Sequence, residues 1–367
     1  MKKRKPDYLL LIIVVLLVSF GLVMIATVSA PLSLEKFGNT YYYLFHQILF
    51  GLLPAAFLGF LCFKIPLKFF KKFSLIFLLI NLAFLVFVLM PKYGISIRGA
   101  SRWVAIGPIA FQPSEFLKIT FLLYLAFWLS QKLKGGEKGL VFFAFLIILG
   151  ILTFLLLKQP DMSTFLILAV TSVLMYFISP TPLWQTLFII LIGIGIFFIS
   201  IHIMDYQFSR IISFLQKESI DPLGKGYQLR QALIAVGSGK LLGVEGILSL
   251  GMSKAKFGFL PHSISDSIFA IIGEELGFIG ATVLIFLFLI FLWRGLRISQ
   301  KSSDGFGKLA SFGITVWIIF QAFINIGSMI GILPITGLPL PLISYGSSHL
   351  IAELIGIGIL LNISKSR

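Results

Sequence analysis

Apolar runs, each about long enough for one helical membrane crossing, recur from one end of this chain to the other, and no other feature limits the fold as strongly. They lie at 8–28, 43–63, 73–90, 114–130, 140–157, 162–179, 183–203, 266–293, 309–332 and 347–363. Roughly 20 residues of helix cross about 30 Å of hydrocarbon. Lipid offers no water to bare N–H and C=O groups, so a crossing segment must satisfy its own backbone, which an α-helix does. The expected fold is an all-α polytopic membrane protein with about ten transmembrane helices. With 58% of its 367 residues hydrophobic and 12% charged, and a mean hydropathy of +1.03, the chain lies outside the range of soluble domains.

The net charge of +16 does not point to nucleic acid, because the bases sit in short clusters between apolar runs rather than along one face. Lys2 to Lys5, Lys64, Lys68, Lys71, Lys72, Lys132, Lys134, Lys138, Arg294, Arg297, Lys301, Lys308, Lys365 and Arg367 all fall on one side of the expected membrane. The positive-inside rule makes that side the cytoplasm and puts both termini there. Lys2-Lys3-Arg4-Lys5 and the apolar run behind it imitate a secretory signal, but Tyr8 to Val28 is too long for a signal core and reads as an uncleaved first span. Cys62 is the single cysteine, so an internal disulfide and a cysteine metal cluster are excluded. The four histidines, 46, 202, 262 and 349, show no ligand spacing.

The chain reads as one membrane domain, 1–367, with a large extracytoplasmic loop at 204–265 between helices 7 and 8. Its apolar residues, among them Ile211, Phe214, Leu233 and Ile234, predict short amphipathic pieces lying on the membrane surface.

Candidate chemistry gathers where polar loops meet spans. Asp266 stands at the start of the eighth span, and an ionisable residue at the edge of hydrocarbon is costly unless paired, wet or used. Ser263-x-x-Asp266 matches a capping box, which would make the acid a helix cap; the alternative is a general base facing outward. Glu274 and Glu275, deeper on the same helix, read as buried polar contacts. A second cluster holds Arg98, Arg102 and Trp103, then Gln112-Pro-Ser-Glu115 and Lys118. The arginines are placed to bind lipid phosphates, with Trp103 as an interfacial aromatic. Glu115 and Lys118 form an i,i+3 pair, and Lys118 either ties Glu115 or lines a polar cavity. Lys158-Gln-Pro-Asp161 reads as an interfacial turn. The stretch Gly337-Leu-Pro-Leu-Pro-Leu-Ile-Ser344-Tyr-Gly-Ser-Ser348 is proline-interrupted beside a span, which predicts a cavity rim.

Taken together, Ser101-Arg-Trp103, Gln112-Pro-Ser-Glu-x-x-Lys118, Gln159-Pro-Asp161, Asp221-Pro-Leu-Gly-x-Gly-Tyr-Gln228, Ala235-x-Gly-Ser-Gly239, Leu260-Pro with Asp266-x-Ile-Phe-Ala270, Glu274-Glu-Leu-Gly277 and Ser344-Tyr-Gly346 resemble the SEDS family, which contains FtsW, RodA and SpoVE. The motifs run in order over nearly the whole chain. Gly273 and the Asp221 motif look more like the FtsW branch. The resemblance implies a peptidoglycan glycosyltransferase of the bacterial cytoplasmic membrane that polymerises lipid II on the outer face. It also implies a class B penicillin-binding protein as partner, together with other division or elongation membrane proteins and membrane lipids, and magnesium or another divalent cation as cofactor. Asp266 falls on the family's catalytic aspartate. Glu115 and Lys118 fall on the pair in its fourth span, Arg210 on the arginine opening its large loop, and Ser344 within its Ser-Tyr-Gly motif. The chain departs from the usual pattern at His262, Ile264, Ser265 and Ser267 around the acid, and at His349 and Glu353 further on.

Joining sugars from a polyprenyl diphosphate donor requires a base for the acceptor hydroxyl and positive charge for the leaving diphosphate. Asp266 suits the first need; Arg102, Lys118 and Arg210 suit the second. A lipid transporter or a non-catalytic scaffold that activates a synthase would also place charge among helices. The absence of an inverted repeat and the crowding of polar motifs towards one face favour chemistry over transport.

Overall fold

The computed structural model describes residues 5–90, 94–97, 100–106, 109–132, 138–179, 181–203, 214, 226–246 and 250–365. Helix α1 (Tyr8–Phe37) starts where the Asp7 carboxylate accepts the Leu10 N–H and stops at left-handed Gly38, whose N–H returns to Leu34 O. The second apolar run is one continuous rod of α2 (Tyr42–His46), a π-helical segment (Gln47–Leu52) and α3 (Leu53–Lys64). Then follow α4 (Leu67–Leu89), α5 (Pro113–Lys132), α6 (Lys138–Lys158), α7 (Met162–Ile178) and α8 (Leu183–Ile203). The chain closes with α9 (Tyr227–Ser238), α10 (Ile268–Lys301), α11 (Gly305–Met329) and α12 (Ser347–Ser364).

The all-α expectation needs one amendment. Between α4 and α5 the chain forms an antiparallel meander, β1 (Gly94–Ile97), β2 (Ala100–Ile106) and β3 (Ile109–Phe111), with a register shift between Ile95 and Ser96. Short runs rich in Ile, Val and Trp, broken by Gly and Pro, are too brief to cross a bilayer, and pairing them satisfies backbone groups at its edge.

Each expected span falls on helix. Six helical segments among the described residues are long and apolar enough to cross a membrane: Tyr8–Phe37, Tyr42–Lys64, Leu67–Leu89, Ile268–Lys301, Gly305–Met329 and Ser347–Ser364. The apolar stretches at 142–158, 162–178 and 183–196 are shorter, and α5, with Glu115 and Lys118 near its start, is outside that set. Outward side chains on α3, α6, α8 and α10, such as Phe57, Phe143, Leu187 and Phe278, are exposed, as a lipid-facing surface requires. Helices α5, α11 and α12 form the centre, with Leu117, Ile314, Trp317 and Ile359 fully buried.

Glycine sets two contacts. A methyl on Gly358 of α12 would run into Gly59 O of α3, so these backbones touch. Gly277 interrupts α10 at φ 63, ψ −165, where a methyl would collide with Gly243 N. The loop after α9 is thereby seated against α10.

The chain ends meet. Asp7 N–H donates to Ser364 Oγ (3.0 Å), and Arg294 Nε and Nη2 reach the Asp7 carboxylate at 3.1 and 2.6 Å. Lys365 Nζ reaches Phe63 O at 2.7 Å, and Lys71 faces Asp304 at 3.8 Å. Asp7 and the 364–365 end of α12 therefore lie at the same, base-rich end of the bundle. The Asp266 turn sits at the other.

Candidate active site

A cavity of about 240 Å³ opens where the Asp266 turn, the Arg102 strand, the Asp161 turn and the 336–349 stretch converge. Asp266 lies two residues before α10. Ser267, not the acid, is the N-cap, and it makes no side-chain cap bond. The capping reading therefore gives way to a different arrangement. Gln228 Nε2, from the surface helix α9, donates to Asp266 Oδ2 (3.1 Å) and Ser267 Oγ (2.9 Å), while Ser265 Oγ donates to Asp266 Oδ1 (3.0 Å). The His262 ring stands 3.9 Å away. Asn325 Nδ2 holds the Asp266 carbonyl and Leu338 O, both at 2.7 Å. The Asp266 residue is thus fixed from three sides by neutral donors, is 7% exposed, and faces the cavity.

Across the cavity, Arg102 Nε donates to Gln159 O at 3.2 Å and its Nη2 to Pro160 O, drawing in a turn whose Pro160 has φ 27. This presents Asp161, which caps α7 through Thr164 N–H (3.3 Å) and accepts Ser114 Oγ–H (2.8 Å). Trp103 lines the cavity beside Arg102, so it belongs to the site rather than to an interfacial belt alone. Glu115 also lines it, and Lys118 binds that acid from behind at 2.6 Å. Lys118 is 0% exposed, donates to Gln321 Oε1 (2.9 Å), and lies 5.5 Å from the centre of the Trp317 ring. It lies beneath the cavity floor and does not line the cavity.

Ser344 is likewise one layer back. Its hydroxyl donates to Ser265 O (2.5 Å) and accepts Leu340 N–H (2.8 Å), while Tyr345 N–H donates to Ile264 O (2.9 Å). Ser344 braces the Asp266 turn. Tyr345 separates this cavity from a second one of about 510 Å³, lined by Leu32, Glu35, Tyr43 and His262; the two share Ser265 and Tyr345. The Tyr345 phenol is pushed up to about 12, first by burial and then by Tyr43 and Tyr42, so it keeps its proton and pairs with His46 Nδ1 at 2.9 Å.

Glu274 and Glu275 do not reach the cavity. Glu274 accepts Ser253 Oγ–H and the N–H groups of Lys254 (3.0 Å) and Ala255 (3.3 Å), and Glu275 accepts Ser253 N–H (3.3 Å). They anchor the 253–255 segment on α10. Arg98, Arg210 and residues 221–225 of the Asp221 motif lie outside the described residues, while Gln228, the last residue of that motif, is the one that holds Asp266. Among the described residues no group of three His, Cys, Asp or Glu gathers to hold a metal ion, so these residues offer no ready-made cradle for the expected divalent cation. The residues least legible beforehand are Asn325, Gln321 and Asp161, whose partners are largely distant in sequence.

A family model described as "Cell cycle protein", for FtsW, RodA and SpoVE, matches residues 7–367. The chain is similar to "Stage V sporulation protein E" of Bacillus subtilis, with 37% identity over 99% of this chain and 98% of that protein. It is also similar to "Probable peptidoglycan glycosyltransferase FtsW" of Trichlorobacter lovleyi, with 36% identity over 98% and 95% of the two chains. Among solved structures, it resembles a chain from a peptidoglycan synthase complex that coordinates polymerization and crosslinking, with TM-score 0.75, 26% identity, and 98% and 97% of the chains covered. It shares the fold of the rod shape determining protein RodA of Thermus thermophilus, with TM-score 0.69, 24% identity, and 99% and 97% covered.

Proposed function

The chain belongs to the FtsW/RodA/SpoVE family of cell cycle proteins, and on that premise we propose that it is a peptidoglycan glycosyltransferase polymerising lipid II at the outer face of the bacterial cytoplasmic membrane. The observation that carries this reading is the Asp266 carboxylate, held by Gln228 and Ser265 and facing a cavity at the end of the bundle opposite the basic one. No Arg or Lys among the described residues pairs with it, so its lone pairs remain available to a substrate hydroxyl. In the proposed step the acceptor hydroxyl gives its proton to Asp266 while its oxygen attacks the anomeric carbon. The bond to the diphosphate breaks, and the electron pair leaves with the diphosphate. An α-linked donor and a β-linked product make this a single inverting displacement without a covalent enzyme intermediate.

Polymerisation needs two lipid-linked sugars, and two cavities meeting at Ser265 and Tyr345 suit a donor and an acceptor on either side of the Asp266 turn. A class B penicillin-binding protein is the proposed partner, in keeping with the likeness to a synthase-complex chain. The test is purified chain with lipid II in vesicles. Wild type should yield glycan polymer and Asp266→Asn none, with equal expression and unfolding temperature. An active Asn variant removes Asp266 as the base, and lipid movement without polymer in wild type turns the reading to transport.

A further inference from the structure

Arg102 spends Nε and Nη2 on backbone carbonyls and Lys118 lies beneath the floor, yet the cavity already presents three carboxylates, Asp266, Glu115 and Asp161. A diphosphate entering there meets three carboxylates against the single positive charge of Arg102, so among the described residues the site calls for a further cation. One lining residue can supply it. His349 is 5% exposed and lines the cavity. Its Nε2 has no protein hydrogen-bond partner, and its Nδ1 faces Glu353 Oε1 across 3.4 Å.

We propose that His349, braced by Glu353, grips the diphosphate of the lipid-linked donor, an assignment that rests on the glycosyltransferase reading above. Glu353 is itself immobilised, being 0% exposed, with its Oε2 accepting Leu342 N–H at 2.8 Å and its Oε1 reached by Gln321 Nε2 at 3.4 Å. With Nδ1 turned to this carboxylate, Nε2 is the edge left for a ligand, and an approaching phosphate oxygen binds there as the ring takes up a proton. The imidazolium is then bracketed by two anions, a geometry that makes its hydrogen bonds charge-assisted. The charged groups around it are Glu353 on its own helix and Glu115 and Lys118 from α5, with the neutral amide of Gln321 from α11. The backbone is shaped to the ring: Gly346 has φ +153, and a methyl there would lie 2.5 Å from His349 Cδ2 and 2.7 Å from Nε2. When the bond to the sugar breaks, the departing diphosphate gains charge, and this contact strengthens with it.

The test measures binding, not turnover. Full-length Asp266→Asn chain in nanodiscs is titrated with farnesyl diphosphate, and with farnesol as the uncharged control, by calorimetry. Adding His349→Gln should weaken farnesyl diphosphate about tenfold or more and leave farnesol unchanged. Glu353→Gln should weaken it in the same direction, and His349→Lys should restore it to within about threefold. Affinity in the His349 background should fall as pH rises from about 6 to about 8 by more than in the His349→Gln background. Farnesyl diphosphate affinity left unchanged by His349→Gln and Glu353→Gln overturns the assignment, as does equal loss for farnesol, which would mean that the cavity has collapsed. If His349→Gln does not fold, the Glu353→Gln and His349→Lys titrations decide. Because no catalysis is required, an active Asp266→Asn enzyme would remove Asp266 as the base without touching this result.

Discussion

Lys118 offers the sharpest test of how the site is supported. Its ammonium is 0% exposed and stands 2.6 Å from Glu115 Oε2. At an effective dielectric of about 20, two unit charges at that distance attract by about 6 kcal/mol, offset by the cost of drying both. Removing one partner leaves the other charge buried and uncompensated, which costs about 3–5 kcal/mol. Lys118→Met should therefore lower the unfolding temperature in detergent by about 6–10 °C, at about 2 °C per kcal/mol for a chain of this size, and Glu115→Gln should behave alike. The double variant removes both charges at similar volume, and Gln321 Oε1 still accepts Trp317 Nε1–H (3.1 Å), so most of the loss should return. A coupling energy of at least about 2 kcal/mol is expected in the cycle. Additive single effects, or an unperturbed Lys118→Met, would refute the view of Lys118 as the buried half of an ion pair and make it a substrate contact instead.

Asn325→Ala frees the Asp266 and Leu338 carbonyls; kcat for polymer synthesis should fall about 100-fold with KM nearly constant, the signature of a displaced base. Gly358→Ala places a methyl against the Gly59 carbonyl, which cannot move as a side chain can, and should cost about 3 kcal/mol in thermal unfolding. Glu274→Leu orphans the Ser253, Lys254 and Ala255 donors; amide exchange at 253–256 should rise while exchange in α11 stays slow.

The helices were legible because hydrocarbon thickness imposes a length and a composition that survive any packing detail. Asp266 was legible for a related reason, since an acid at the membrane edge stands out against its surroundings. What remained hidden depends on partners far along the chain. Asp161 reads as part of an interfacial turn; that it caps α7 and lines the cavity shows only in the fold, where Arg102, 57 residues before Gln159, pulls the turn inward. Asn325 lies inside an apolar run, and only the folded chain brings its amide to Asp266. The sheet at 94–111 was missed because its strands are too short and too interrupted to show alternation. Ser263-x-x-Asp266 misled about the helix start because the turn closes on itself first, with Ser265 and Ser267 N–H both donating to His262 O at 3.0 and 3.2 Å.

The placement of buried charge also bears on chemistry against passage through the membrane. Beneath the cavity, Lys118, Trp317, Gln321 and Glu353 are all 0% exposed and bonded to one another or to Glu115. At the far end, Asp7 is locked to Arg294 and Ser364. A protein that alternated access would have to break the layer at each end in turn: the Lys118–Gln321 and Gln321–Glu353 contacts between helices beneath the cavity and, at the far end, the Asp7–Arg294 ion pair, where leaving one charge without its partner costs about 3–5 kcal/mol. A catalyst needs neither opening, because a lipid-linked sugar can reach Asp266 from its own side and the product can leave the same way. The polar residues inside this bundle therefore read as a floor that holds Glu115 and Glu353 in place under the reacting groups, not as steps along a path.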